Sequence, residues 1–186
     1  MEFKEYIERL PSLLENKKDI VIVTANKTYI LNGVEPSCNY EYCKEHNLEI
    51  LNTEHVGGTI VNGKDDICVG FFTKIKPTND DACNLAEDLI AKLYEYINTH
   101  TSANINYENN DILLEGFKTI SWSCAVYEGG LYAAIHIPFN IDLELIKNVC
   151  TKEMVKIPKG LEEFGIDRNE ILKIIEEEIT NDRSKL

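Results

Sequence analysis

The stretch Asn109-Asn110-Asp111-Ile112-Leu113-Leu114-Glu115-Gly116-Phe117-Lys118 decides how this chain is read. Asp111 to Leu114 is an apolar run headed by an acidic residue, and Glu115-Gly116 directly after it is a turn signal. A tight hairpin at Glu115-Gly116 folds Lys118 back beside the strand that begins at Asp111. An aspartate able to hold Mg²⁺ and a lysine able to neutralise a phosphate, brought together in this way, suit chemistry on ATP. On their own, an Asp at a strand start and a Lys after a turn equally describe ordinary solvated surface residues.

Working outward, the chain alternates short strands with helices. Glu2 to Asn16 has helical periodicity, with Phe3, Tyr6, Ile7, Leu10 and Leu14 on one face and Pro11 expected to kink or split it. Asp19 to Thr24 and Lys27 to Leu31 read as strands, the second closed by Asn32-Gly33. Asn39 caps a short helix, and Leu48 to Leu51, Thr59 to Val61 and Ile67 to Ile75 read as further strands. The longest helix starts at Asn79 or Asp80 and carries the stripe Leu85, Leu89, Ile90, Leu93, Tyr94, Ile97, a sheet-packing face. Four strands follow, at 103–107, 111–114, 120–126 and 132–137, then a helix capped by Asp142 and a terminal amphipathic helix from Arg168 to Thr180. Glu176-Glu177-Glu178 reads as the solvated face of that helix. The expectation is one α+β domain over residues 1–186, a mixed, mostly antiparallel sheet packed by helices.

The bulk numbers exclude some functions. With 186 residues and 44% hydrophobic content the chain can bury a sizeable core. A net charge of −13 argues against nucleic acid, whose recognition needs clustered Lys and Arg. It also requires any ATP site to create a local positive or amide-rich patch. No run of about eighteen apolar residues suggests a membrane span, and Met1-Glu2-Phe3-Lys4-Glu5 does not read as a signal peptide. The six cysteines form no Cys-x-x-Cys pair and have no His at zinc-ligand spacing, so all six are expected as reduced thiols in a cytoplasm.

The order and spacing of these segments resemble the lipoate–protein ligase and biotin–protein ligase superfamily, the lipoate branch more closely. That family has Asn-Asp, a strand, a turn and a lysine seven residues after the aspartate, as do Asn110-Asp111 and Lys118 here. Upstream it has Arg-Arg-x-Ser-Gly-Gly-Gly-Ala-Val-Tyr/Phe-His-Asp, where this chain has Thr53-Glu54-His55-Val56-Gly57-Gly58-Thr59-Ile60-Val61-Asn62-Gly63. The similarity runs from about Thr24 to Val149. The departures are as informative. Both arginines are replaced, by Thr53 and Glu54, the first glycine of the triple is Val56, and the His-Asp pair is Asn62-Gly63.

The resemblance implies that a carboxylic acid is activated with ATP and Mg²⁺ as an acyl-adenylate, then passed to a lysine of a lipoyl or biotinyl carrier domain. It implies Lys118 and Asp111 as catalytic residues, with Asp111 also a Mg²⁺ ligand. It implies cofactor contacts from Gly57, Gly58, Asn110, the rim residue His55 and Trp122; Trp122 and Ser123, on the strand after Lys118, are placed to line the acyl pocket, which Trp122 would shorten if it points inward. His136, inside an apolar strand, reads more simply as a satisfied sheet histidine. A cysteine-based acyl transfer is disfavoured, because residues 101–109 hold no cysteine. The lost arginines also leave open a relative without catalysis, serving as a ligand-binding or regulatory module.

Overall fold

The computed structural model describes residues 1–16, 18–53, 57–74, 81–127 and 130–183. In chain order these form α1 (Phe3–Asn16), β1 (Lys18–Thr24), β2 (Tyr29–Asn32), α2 (Tyr40–Glu45), β3 (Glu49–Asn52), β4 (Thr59–Asn62) and β5 (Ile67–Lys74). Then come α3 (Ala82–His100), β6 (Ile105–Glu108), β7 (Asp111–Leu114), β8 (Phe117–Tyr127), β9 (Gly130–Ile137), α4 (Leu143–Val149) and α5 (Arg168–Arg183). The fold is α+β and mostly antiparallel. The strands divide into two sheets. Six lie antiparallel in the order β1-β5-β9-β8-β7-β6. Three form a smaller sheet, β3-β2-β4, in which β2 and β3 run parallel because α2 makes the crossover between them.

Side chains alternate across each strand, so the large sheet has two chemically distinct faces. One face presents Val69, Phe71, Ile112, Ile120 and Ile135 to the stripe Leu85, Leu89 and Leu93 of α3 and to Ile171 and Ile175 of α5. The other presents Val21, Val23, Phe72 and Tyr132 to Phe3, Tyr6 and Leu10 of α1 and to Leu31 of the small sheet. That second face is only partly covered, and the candidate site lies on it. Helix starts follow their caps. Asn39 accepts from the Tyr42 N–H at 3.2 Å and Asp142 from the Leu145 N–H at 2.9 Å. The cap of α3 is Asp81, which accepts from Cys83 and Asn84, whereas Asn79 and Asp80 lie outside the described residues.

Three expectations are corrected. α1 runs through Pro11 as one helix. Pro11 sits on its exposed side, where water can take up the carbonyl that loses its partner. Glu178 is not solvated but buried, paired with Lys92 of α3 where α5 packs on it. Cys83 and Cys124 form a disulfide between α3 and β8, with their Cα atoms 5.8 Å apart, so only four cysteines are free.

The β6-β7-β8 meander shapes the site. Glu115 and Gly116 both have positive φ, 51° and 80°, the signature of a two-residue type I′ turn, and Gly116 adopts it without a Cβ penalty. The preceding hairpin turns on Asn109 and Asn110, also at positive φ (51° and 65°), which asparagine tolerates better than most residues. Leu113 pairs with Lys118, yet Ile112 pairs with Ile120, so Thr119 is an extra residue in β8. Its hydroxyl donates to the Ile112 carbonyl at 2.8 Å. This bulge keeps Ile120 in the helix-side core and turns both Lys118 and Ser121 to the open face.

Thr119→Val keeps the shape but strands a buried carbonyl, so chemical denaturation is expected to show a loss of about 1–3 kcal/mol. Thr119→Ser, which keeps the hydroxyl, should stay within about 1 kcal/mol of the parent. Equal stability of the Val variant would mean the bulge does not depend on this bond. Titration of the denatured, unreduced chain should find four reactive thiols where the sequence holds six.

Candidate functional site

Across the open face of the large sheet runs a row of four paired residues, Cys68 on β5, His136 on β9, Ser121 on β8 and Asp111 on β7. The next row along is Gly70, Ala134 and Ser123, three small side chains. Small residues side by side leave space above the sheet. Two adjoining cavities open there, of about 540 Å³ and about 300 Å³. Both are lined by Ile60, Asp111, Lys118, Ser121 and His136, which therefore mark their junction. The larger extends over Gly58, Thr59 and the 152–158 segment, and the smaller runs over the small-residue row to Tyr6 and Tyr132. From His136 to Tyr132 is four residues of strand, roughly 13 Å.

At the junction the Lys118 Nζ lies 2.9 Å from Asp111 Oδ1. Asp111 is 12% exposed and Lys118 39%, so the lysine reaches open space while the carboxylate is held beneath it. A second cation completes the cluster. Lys156 Nζ is 3.4 Å from Glu108 and 3.9 Å from Asp111 Oδ2, and it lines the larger cavity. It is brought there by a parallel bridge in which the Lys118 N–H donates to Ile157 O at 3.0 Å and the Lys159 N–H to Lys118 O at 2.9 Å. Gly160 permits the docking, because a Cβ there would collide with the Phe139 carbonyl. The two lysines are balanced by Asp111 and Glu108, so the cluster is formally neutral, and an anionic ligand would take the ammonium groups over from those carboxylates.

Of the residues picked out from the sequence, Asp111, Lys118 and Gly58 line the larger cavity, and Asn110 lines the smaller. Gly57 (φ 125°) holds the backbone turn beside them, with its carbonyl bonded by the Glu35 N–H at 3.0 Å and that of Gly58 by the Gly33 N–H at 2.9 Å. His55 lies outside the described residues. Trp122 borders the smaller cavity between Ser121 and Ser123, but its indole packs in the helix-side core and donates to the Tyr107 hydroxyl at 2.7 Å. Strand alternation turns its side chain away from the open face, so it does not shorten the cavity, whereas Ser123, the other residue expected there, points into it. His136 sits at the junction, its Nε2 3.1 Å from buried Asp66. Asp66 is itself fixed by the N–H groups of Gly63 and Phe139. The sequence held no local signal for Lys156, which reaches the site only through the tertiary bridge to Lys118.

The cysteines lining the cavities are poor nucleophiles. Burial raises the pKa of Cys68, in the smaller cavity, and of Cys150, in the larger, so both thiols stay protonated near neutral pH. Among the described residues no cluster of three or more His, Cys, Asp or Glu is arranged to hold a metal ion. Asp111 offers one carboxylate between two ammonium groups. That is no dedicated metal cage, since the two ammonium groups already engage the carboxylate.

The sequence profile of the lipoyl protein ligase A/B catalytic domain matches residues 5–184, and the chain belongs to that family. No curated protein matches it by sequence. Solved structures share its fold at low identity. One is the P. falciparum LipL1 complex with lipoate (13% identity, TM-score 0.69), which covers 98% of this chain while this chain spans 57% of it. Another is the bipartite lipoate protein ligase of Thermoplasma acidophilum, described with its E2 lipoyl domain (9% identity, TM-score 0.70, covering 95% and 76%). A third is lipoate-protein ligase A bound with ATP (11% identity, TM-score 0.71, covering 95% and 78%). No helix among the described residues is long and apolar enough to cross a membrane.

Filling the small-residue row tests the division of the site. On the expectation that an acid's tail takes the smaller cavity and ATP the larger, Ala134→Leu should weaken carboxylic-acid binding about tenfold by calorimetry while ATP affinity changes less than about twofold. Equal losses of both would show that the two cavities act as one.

Proposed function

We propose that this protein joins a small carboxylic acid to ATP as an acyl-adenylate and transfers the acyl group to a carrier-domain lysine. The observation that carries the reading is the position of the Lys118 amine at the junction of two cavities, one wide with Lys118 and Lys156 at its mouth, the other narrow and floored by small residues. The nucleotide is assigned to the first, over Gly58, and the acid's tail to the second. In the first half-reaction a carboxylate oxygen bonds to the α-phosphorus as the bond to pyrophosphate breaks. In the second, the carrier amine attacks the acyl carbon, AMP leaves and the amine loses a proton. Lys118 bridges the carboxylate and the α-phosphate, where negative charge builds up. Asp111 holds that amine in place, and Asn110 shapes the turn beneath it. Mg²⁺, when bound with ATP, supplies charge neutralisation on the phosphates, with Asp111 as its one protein carboxylate. ATP as co-substrate makes the cytoplasm the compartment of this reading, where a disulfide such as Cys83–Cys124 is uncommon.

A second reading is a family member without catalysis that binds a ligand. It is supported by Thr53 and Glu54, which stand where the family has arginines, and by the ion pairs that engage Lys118 and Asp111. One assay separates the two. The wild type should exchange pyrophosphate into ATP with at least one acid from a panel of lipoate, octanoate, biotin and shorter acids. Lys118→Ala should lose about 10²–10³-fold of that rate while melting close to the parent, since half-exposed ion pairs contribute roughly 0–1 kcal/mol. A folded wild type inactive on every acid, with Mg²⁺ present, would decide for the binding module. Exchange surviving in Lys118→Ala would put the phosphate-binding group elsewhere.

A further inference from the structure

Asn62 ends β4 above the smaller cavity and lines it, with only 1% of its surface exposed. Its Oδ1 accepts from the Cys68 thiol at 3.8 Å, and its amide Nδ2 has no hydrogen-bond partner among the described residues. The thiol can only play donor while protonated, and burial keeps it so. With the carbonyl end facing the thiol, the NH₂ end is the unmatched group. A buried donor without an acceptor is rare in folded proteins and marks a place where something is missing. The surroundings are also polar for a space meant to hold a plain hydrocarbon tail. Ser123 lies on its floor, and the Tyr6 and Tyr132 hydroxyls meet at 3.0 Å at its far end. Cys68 is in the same cross-strand row as Asp111 but three strands away in the order β5-β9-β8-β7, roughly 14 Å across the sheet, so Asn62 stands at the side of the cavity away from Lys118, not at the carboxylate.

We infer that the acid bound here carries a hydrogen-bond acceptor along its tail, an oxygen or an equivalent group, received by the Asn62 amide. This rests on the adenylating reading of the same site. It makes the substrate class an oxygen-bearing chain rather than an unsubstituted fatty acid. A tail of methylenes would bury the Asn62 donor permanently unpaired, whereas a carbonyl or ether oxygen at the right position would satisfy it. No covalent step is involved: the contact selects the acid before Lys118 acts on its carboxylate.

The experiment uses the full chain with a non-hydrolysable ATP analogue present, and titrates octanoate against octanoates carrying one keto oxygen at successive carbons. One regioisomer should bind about tenfold tighter than octanoate, the others no better than octanoate, because only one position meets the fixed amide. In Asn62→Leu that preference should vanish while octanoate binds as well as before or better. Equal binding of octanoate and every keto analogue, with Lys118→Ala weakening all of them, would overturn the inference and leave the ligase reading standing. No binding of any acid, biotin and lipoate included, would remove the ligase reading and the inference with it. Should Asn62→Leu fail to fold, the keto preference of the wild type decides the matter by itself.

Discussion

The site depends on a single extra residue. Lys118 and Ser121 are three apart on one strand, and an unbroken strand would send them to opposite faces. The bulge at Thr119 absorbs the odd residue, so Lys118 faces Asp111 while Ile120 stays in the core. Without it, one of two things would follow. Lys118 would enter an apolar core, at a cost of several kcal/mol unless it lost its charge. Otherwise Ile120 and Trp122 would turn out onto the open face, and the core between the sheet and α3 would lose two of its larger members. The type I′ turn at Glu115-Gly116 sets where the strand returns, and the bulge sets which way its side chains point.

Charge is the second constraint. A chain of net charge −13 repels phosphates over most of its surface. At the junction, Lys118 and Lys156 flank Asp111, and the larger cavity opens in front of them. Lys156 lies where its Nζ is buried and lacks a hydrogen bond, held by charge attraction alone to Glu108 and Asp111. An arriving polyphosphate offers both lysines better partners than the carboxylate between them, since ammonium–phosphate bonds are charge-assisted and directional. The segment carrying Lys156 is tied to the backbone of Lys118 itself, so the two cations are positioned by one bridge.

The sequence made the turns, caps and apolar stripes legible because each is local. Glu115-Gly116, Asn39, Asp142 and the α3 stripe all read correctly, and the spacing of Asp111 and Lys118 brought the pair together. Features set by tertiary pairing were not legible. Thr119 is a common strand residue and nothing local marks it as extra. Which face Trp122 takes could not be read locally, because its orientation depends on that bulge. Glu178 read as a solvated charge until the packing of α5 on α3 buried it, and Lys156 reaches the site only through a distant bridge. The Cys83–Cys124 pair joins a helix to a strand, with no spacing motif to announce it.

The two ends of the site are specified by different kinds of constraint. The chemical end is fixed by backbone geometry: a turn needing positive φ, a bulge and a parallel bridge. Altering any of them moves Lys118 and disturbs the core together. The tail end is fixed by side-chain size and polarity on three separate strands, at Gly70, Ala134 and Ser123, with Asn62 and the tyrosine pair around them. A substitution at Ala134 or Ser123 changes which tail fits without moving the backbone that holds the lysine. On the proposed reading, the fold can therefore keep one way of activating a carboxylate while the acid it accepts changes residue by residue. That separation explains how the family scaffold persists here although the residues at 53, 54 and 62 depart from the family's pattern.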